Sequence, residues 1–295
     1  MRWGWIFALM AAAGGAVAYA VSRPFGALRG IVRFTSSKPA VGFTWWVKSG
    51  NEGAEKYVGN FDFVVVKTTD GRSDKGDNHY GALVDAAHAA GTPVHAWSYF
   101  YATSVEKAAQ EAVVAAKAAL RMGAKAQWIN AEHQWSGGYM GEKGAPDPYA
   151  AMEALVSAFR ATAPGIPVVF NSTTSWMSPR LNKETDQAIA NLFDAYGPMV
   201  YSSGSDGGIN TMRKKWERGY KIAQTAGIPF APLLGSGRED TKVAGRYWTN
   251  LKAVEEIQQE MPAEWLTFWI APGGAITLYQ GNALNPSLSD FSAAV

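Results

Sequence analysis

Short apolar segments alternate with longer amphipathic segments along most of this chain. Eight segments rich in β-branched and aromatic residues have the length of strands: residues 41–47, 61–68, 93–100, 126–130, 166–171, 198–201, 229–234 and 265–271. Helical patterns fill most of the intervals, at residues 105–122, 148–163, 185–196, 212–226 and 243–260. Glycine follows several helical patterns, at Gly91, Gly123 and Gly227, where it is typical of a helix C-cap.

Strands that alternate with helices predict parallel pairing through right-handed crossovers. Eight such units over about 250 residues is the usual size of a parallel barrel. We therefore expect an α/β fold, a (β/α)8 TIM-type barrel in a single domain, preceded by an N-terminal apolar leader helix. A doubly wound open sheet is the alternative, but no nucleotide-binding glycine motif follows any strand.

The N-terminal segment has its own character. Residues 3–21 carry no charge, follow Arg2 and include Ala18-Tyr19-Ala20, which fits signal-peptidase cleavage. The same run is also about long enough to span a bilayer. Residues 1–21 are therefore predicted to be a signal peptide or a membrane anchor, and the protein is expected to be exported or membrane-anchored. Residues 22–40 are interpreted as a linker, 41–272 as the barrel and 273–295 as a C-terminal hairpin or tail.

Composition excludes several kinds of site. The formal net charge of +2 favours no nucleic-acid partner. The chain contains no cysteine, so thiol chemistry and thiolate metal sites are impossible. Its four histidines show no HExxH spacing, and we expect neither a metal nor another cofactor.

The strand-like segment at 126–130 leads into the strongest candidate for chemistry. Residues two apart on a strand share a face, so Asn130 and Glu132 are expected to project together. At the carboxyl-terminal edge of a parallel barrel they would face the substrate. The alternative interpretation is that Glu132 caps the next helix or pairs with a cation.

Aromatic and polar residues near other predicted strand ends are candidate substrate contacts. Flat apolar faces with a polar edge fit pyranose rings, although most such aromatic residues pack in the core. The candidates are Asp70, Trp97, Tyr99, Trp135, Asn171, Trp176, Tyr201 and Asp206, of which Asp206 is also typical of a turn.

Residues 61–71, which end in Lys67-Thr68-Thr69-Asp70-Gly71, resemble the second-strand segment of family 25 glycoside hydrolases, the peptidoglycan-cleaving lysozymes. Residues 89–97 resemble that family's next helix end and strand. Asn130-Ala131-Glu132 falls where the family carries Asp-x-Glu, so Asn130 replaces a carboxylate. Thr44 stands where the family has its first-strand Asp, and the closing acidic motif is not recognisable. The resemblance covers roughly residues 41–175.

The resemblance implies a hydrolase of N-acetylated glycan, with peptidoglycan as the expected polymer. Asn130 suits substrate-assisted cleavage, in which the acetamido oxygen attacks the anomeric carbon and the protein supplies one general acid. Glu132 would be that acid, and Asn130 would orient the acetamido group. The missing carboxylates leave two alternatives: a non-catalytic glycan-binding module, or a structural, virion-type or membrane-tethered protein on a degenerate hydrolase barrel.

Overall fold

The computed structural model describes residues 39–45, 55, 58–59, 61–131, 147–172, 183–201, 209–238 and 248–270. Its strands are β1 (Ala40–Trp45), β2 (Phe63–Asp70), β3 (Ser73–Asp74), β4 (Val94–Tyr99), β5 (Gln127–Ala131), β6 (Val168–Ser172), β7 (Ala195–Tyr196), β8 (Met199–Val200), β9 (Leu233–Leu234), β10 (Ser236–Arg238), β11 (Trp248–Asn250) and β12 (Trp265–Ile270). Its helices are α1 (Asp77–Ala90), α2 (Val105–Arg121), α3 (Pro148–Thr162), α4 (Lys183–Ala190), α5 (Ile209–Ala226) and α6 (Leu251–Glu260).

The main sheet is parallel, and its strands follow the order β7-β6-β5-β4-β2-β1-β12-β9-β8. The short β3 pairs antiparallel with the end of β2, and β10 pairs with β11 in a separate small sheet. The two ends of the main order are neighbours in the chain, because only Gly197 and Pro198 separate β7 from β8. Tyr196 also forms a parallel bridge with Phe230. The fold is therefore an α/β fold built on a parallel sheet, as predicted, while closure into a (β/α)8 barrel stays a prediction.

The sixth predicted strand differs from the expectation. Instead of one strand at 198–201, the structure has the two short strands β7 and β8, and α4 ends at Ala190 rather than near residue 196. Proline at 198 has no N–H to give to a ladder. A Cβ at Gly197 would lie 2.7 Å from the Trp128 ring and 2.8 Å from the Ala231 carbonyl oxygen. Close backbone approach at this point thus requires glycine and interrupts the strand.

The outer face of the sheet packs against helices. One buried cluster joins the helices to apolar strand residues that alternate with the residues of the inner face: Val64, Val66, Ala96, Ile129 and Phe170. Small side chains form much of the inward face of α2: Ala108, Ala112, Ala115, Ala116 and Ala119. Helix α2 packs against α3, and each starts at a side-chain cap, because Ser104 accepts the Lys107 N–H and Asp147 accepts the Ala150 N–H.

Three carboxylates connect neighbouring strands at the amino-terminal edge of the sheet. Each stands immediately before a strand and accepts a backbone N–H from the adjoining segment: Asp62 from Val41 at 2.8 Å, Asp194 from Val168 at 2.9 Å and Glu264 from Phe230 at 2.6 Å. Arg160 also pairs with Asp194 at 2.9 Å. Backbone N–H groups at strand starts need acceptors, and side chains supply them here. This edge of a parallel barrel supports stability, while chemistry belongs to the opposite edge.

The predicted leader at residues 3–21 and the tail at 273–295 lie outside the described residues. Among the helices of the described ranges, none combines the length and the apolar character needed to cross a membrane.

Replacing Asp194 by alanine should destabilise the fold. The substitution leaves the Val168 N–H without its acceptor and Arg160 without its partner. We expect the free energy of unfolding to fall by about 1–3 kcal/mol, measured by urea denaturation. Asp85→Ala is the control, because Asp85 is an exposed carboxylate on α1. Equal denaturation midpoints for the two variants would contradict this role of the carboxylates.

Candidate active site

The parallel register aligns three polar side chains at the carboxyl-terminal ends of β4, β5 and β6. Tyr99 pairs with Asn130, and Asn130 pairs with Asn171. Paired residues of parallel strands point to the same side of a sheet. We call these three residues the inner row. Asn130 and Asn171 are buried and Tyr99 is partly exposed, so two predicted site residues on different strands, Tyr99 and Asn171, lie directly beside Asn130.

Asn171 holds the indole of Trp97 across β5. Its Oδ1 accepts a hydrogen bond from Trp97 Nε1 at 3.2 Å, and its Nδ2 donates to the Gly197 carbonyl oxygen. Because β4 and β6 are two strands apart, this contact runs over the inner face of the sheet. Trp97 is only 3% exposed. Both residues are predicted substrate contacts, and they lie on the inner face of the sheet, which we call the inner wall. The oxygen and the nitrogen of the Asn171 amide are both hydrogen-bonded there.

Lys67 and Asp70 form a partly buried ion pair beside these aromatic rings. Lys67 Nζ lies 2.9 Å from Asp70 Oδ2, and 5.2 Å and 5.6 Å from the ring centroids of Trp97 and Tyr99. Lys75 Nζ is 3.6 Å from the same carboxylate oxygen. Burial raises the pKa of Asp70, but the hydrogen bond and charge of Lys67, with smaller effects of Tyr101 and Lys75, bring it below the ordinary value. Asp70 is thus a carboxylate at neutral pH.

Lys67 was not among the predicted site residues, although it stands inside the segment that resembles family 25. The sequence signal is a lysine at the end of the apolar run Phe63-Val64-Val65-Val66, three residues before an aspartate. A buried lysine needs a partner, and the nearby Asp70 supplies it.

Thr44 lies near the carboxyl-terminal end of β1, on the inner face of the sheet, at the position where the resembled family has an aspartate. Its Oγ1 lies 3.1 Å from Thr267 Oγ1 of β12, and both side chains are buried. This pair fills the position with neutral hydrogen-bonding groups. No carboxylate of β1 therefore faces the inner row.

Tyr201 follows β8 directly and is partly exposed. Its carbonyl oxygen accepts a hydrogen bond from Lys215 Nζ of α5 at 2.9 Å, which fixes the backbone at this strand end. Four other candidates, Glu132, Trp135, Trp176 and Asp206, lie outside the described residues. In the part of the chain that the structure describes, no three His, Asp or Glu side chains come together as a metal site would require.

Aromatic rings and one histidine lie on the inner face of the sheet, on the amino-terminal side of the inner row. His95 Nδ1 accepts a hydrogen bond from Trp128 Nε1 at 3.2 Å, and its ring stacks on Phe63 at 4.6 Å between centroids. Burial lowers the pKa of His95 to about 3. The imidazole is therefore neutral at physiological pH and serves the packing of the inner face.

Comparison with known proteins finds the fold but no family. No protein-family model and no curated protein matches this chain. Among solved structures, a fungal β-1,4-galactanase matches with a TM-score of 0.56 at 9% identity, over 83% of this chain and 92% of that chain. A chitinase catalytic domain of Ostrinia furnacalis gives 0.53 at 9% identity, over 78% and 89%. A xylanase and amylase inhibitor protein, XAIP-III, gives 0.53 at 11% identity, over 87% and 97%.

An autolysin and a family 25 glycosyl hydrolase occur among the matches at lower scores. The modular autolysin LytC of Streptococcus pneumoniae has a TM-score of 0.42 at 13% identity, over 53% of this chain and 37% of the autolysin. A family 25 glycosyl hydrolase of the same species gives 0.43 at 17% identity, over 61% and 73%. This chain thus spans little more than a third of the autolysin's length. The matches above 0.5 show that the chain shares the fold of these proteins, which include glycoside hydrolases and an inhibitor, and membership of family 25 stays a prediction.

The neutral His95 predicts a specific pH dependence of stability. In the unfolded chain a histidine gains its proton near pH 6.5, whereas folded His95 does so only near pH 3. The unfolded state therefore binds the extra proton first as the pH falls. The stability that neutral His95 contributes is complete above pH 6.5, and we expect it to decline by up to about 1.4 kcal/mol per pH unit between pH 6.5 and 3.

His95→Gln removes this titration while keeping an acceptor for Trp128. Urea denaturation at pH 7 and pH 5 should show a smaller loss of stability on acidification for this variant than for the wild type. His88→Gln, which removes an exposed histidine of α1, is the matched control. Parallel pH profiles for the wild type and His95→Gln would refute a neutral buried imidazole.

Proposed function

We propose that this protein is a glycoside hydrolase that cleaves N-acetylated glycan, with peptidoglycan as the expected polymer. Glu132 is its general acid, and Asn130 orients the acetamido group of the substrate. The observation that carries the proposal is the position of Asn130, which lies near the end of β5 between Tyr99 and Asn171 at the carboxyl-terminal edge. Parallel barrels place their chemistry at this edge.

The proposed reaction is substrate-assisted. The acetamido oxygen attacks the anomeric carbon while Glu132 gives its proton to the leaving glycosidic oxygen, and the bond between the sugars breaks. The bond between the acetamido oxygen and the anomeric carbon closes a ring. Water then attacks the anomeric carbon, opens that ring and passes a proton back to Glu132. Asn130 carries the amide needed to hold the acetamido group, and an uncharged residue there leaves the attack to the substrate.

The surroundings of Asn130 support a sugar as the ligand. Tyr99 is partly exposed beside it, and Tyr99 and Tyr101 meet edge to face with centroids 5.1 Å apart. Tyrosine rings offer the apolar face and polar edge that pyranose rings bind. The matched chitinase domain was solved with an N-acetylated chitooligosaccharide, and the matched galactanases also act on glycan. Peptidoglycan is favoured by the family 25 resemblance of residues 61–71.

We also propose that residues 41–272 form one (β/α)8 barrel domain and that Glu132 acts at its carboxyl-terminal edge. Trp97, Asp70 and Asn171 shape the inner wall of the site, while Trp135, Trp176, Tyr201 and Asp206 are the remaining candidate contacts.

A non-catalytic glycan-binding protein is the second candidate. The neutral Thr44–Thr267 pair supports it, because a carboxylate is missing from the inner end of β1. The matched inhibitor protein XAIP-III shows that an inhibitor also has this fold. Fold alone does not separate the two candidates.

Release of reducing ends from purified peptidoglycan and from chitooligosaccharide by the full chain tests the enzyme proposal. Glu132→Gln keeps the shape of the side chain but removes the acid, so turnover should fall by about two to four orders of magnitude while glycan binding persists. Asn130→Ala should also lower turnover, whereas Asn130→Asp should retain or raise it.

Glu153→Gln is the control for Glu132→Gln, because Glu153 is an exposed glutamate of α3. If the wild type hydrolyses no N-acetylated glycan yet binds one, with an affinity that Glu132→Gln leaves unchanged, the enzyme proposal fails. The binding-module proposal then replaces it.

Export is a separate part of the proposal and rests on the apolar residues 3–21 and on Ala18-Tyr19-Ala20. If these residues are a signal peptide, mass spectrometry of the natively produced protein should find an N-terminus near Val21. Intact Met1 in a membrane fraction would instead favour the anchor. Intact Met1 in a soluble intracellular fraction would contradict both.

A further inference from the structure

Glu111 is a buried carboxylate in the middle of α2. It is 5% exposed, and its neighbours on the same helix face are Ala108, Ala112 and Ala115. Burial raises the pKa of Glu111, against the opposing effects of two backbone N–H groups and of the charges of Arg72 and Lys107. An acidic side chain on an otherwise apolar helix face is costly unless its oxygens are bound. The buried Glu111 carboxylate therefore needs hydrogen-bond donors.

Both bound groups belong to the loop that leaves β4. Glu111 Oε2 accepts the N–H of Tyr101 at 2.9 Å and the N–H of Ala102 at 3.3 Å. Ala102 has φ 34, in the left-handed region that a residue with a Cβ rarely adopts. Two successive N–H groups that converge on one oxygen form the kind of concavity that binds an anion. The carboxylate of Glu111 thus stabilises an otherwise unfavourable backbone conformation.

Tyr101 carries this constraint to the carboxyl-terminal edge. Its ring packs over Gly71, where a Cβ would lie 2.9 Å from Tyr101 Cδ2 and 3.5 Å from Glu111 Oε1. Gly71 has φ 56, and its N–H donates to the Tyr99 carbonyl oxygen at 2.7 Å. The Tyr101 side chain also helps to lower the pKa of Asp70. The loops after β2 and β4 therefore meet at Tyr101.

We propose that Glu111 is a positioning residue that fixes Tyr101 and, through it, the place of Tyr99 in the inner row and of Asp70 beside that row. It acts through the loop backbone and does not touch the substrate. The part of this proposal that concerns glycan affinity rests on the proposed function. The part that concerns the loop does not.

Amide hydrogen exchange tests the loop directly. In Glu111→Ala the amides of Tyr101 and Ala102 should exchange at least about tenfold faster than in the wild type, because their acceptor is gone. Glu111→Gln keeps a neutral acceptor oxygen and should give an intermediate rate, which also covers the case in which the alanine variant folds poorly. Amides within α2 should keep their protection in both variants.

The control is Glu106→Gln, on the first turn of the same helix, where Glu106 is exposed and accepts a hydrogen bond from Gln110. It should leave the Tyr101 and Ala102 amides unchanged. If Glu111→Ala and Glu111→Gln also leave them unchanged while both variants are folded, the proposal is overturned.

Steady-state cleavage and equilibrium binding of a chitooligosaccharide test the consequence for the site. Glu111→Gln should raise KM and Kd by about tenfold and leave kcat within about twofold, because the displaced tyrosines bind the sugar without taking part in proton transfer. Faster exchange with unchanged KM and Kd would overturn the part of the proposal that concerns glycan affinity and support the part that concerns the loop.

A wild-type protein that binds no N-acetylated glycan would end the proposed function and not this one. The exchange rates of Tyr101 and Ala102 would then decide by themselves whether Glu111 positions the loop.

Discussion

The register of β4, β5 and β6 is the constraint on which the rest of the site depends. Strand side chains alternate between the two faces, so a slip by one residue would turn Tyr99, Asn130 and Asn171 toward the helices. It would also bring Ile129 and Phe170, now packed under the helices, onto the inner face. The apolar outer face and the polar inner row therefore specify the same register.

Polar groups inside the sheet are bound to one another across strands. Thr44 bonds Thr267, Trp128 bonds His95, and Trp97 bonds Asn171. Leaving a buried polar group without a partner destabilises the folded state by more free energy than a hydrogen bond contributes. The three hydrogen bonds therefore favour one arrangement of the inner wall. The inner wall is thus ordered by the fold itself, before any ligand arrives.

Much of the fold could be predicted from sequence, because apolar runs bounded by glycine and amphipathic segments are local signals. The alternation of strands also placed Asn130 at a strand end. Contacts that join distant segments could not be predicted: Trp97 reaches Asn171 over an intervening strand, and Glu111 in sequence resembles any other helix-surface glutamate. The break at Gly197 depends on how closely Trp128 and Ala231 approach, which no local pattern encodes.

The alanine-rich face of α2 has a consequence for how precisely the site is held. Alanine has no side-chain rotamers, so the inward face of this helix, with Ala108, Ala112, Ala115 and Ala119, cannot repack by exchanging them. Close contacts between methyl groups restrict how far the helix can move against its neighbours. The carboxylate of Glu111, at the middle of this helix, therefore binds the Tyr101 backbone from a position that is itself held in place.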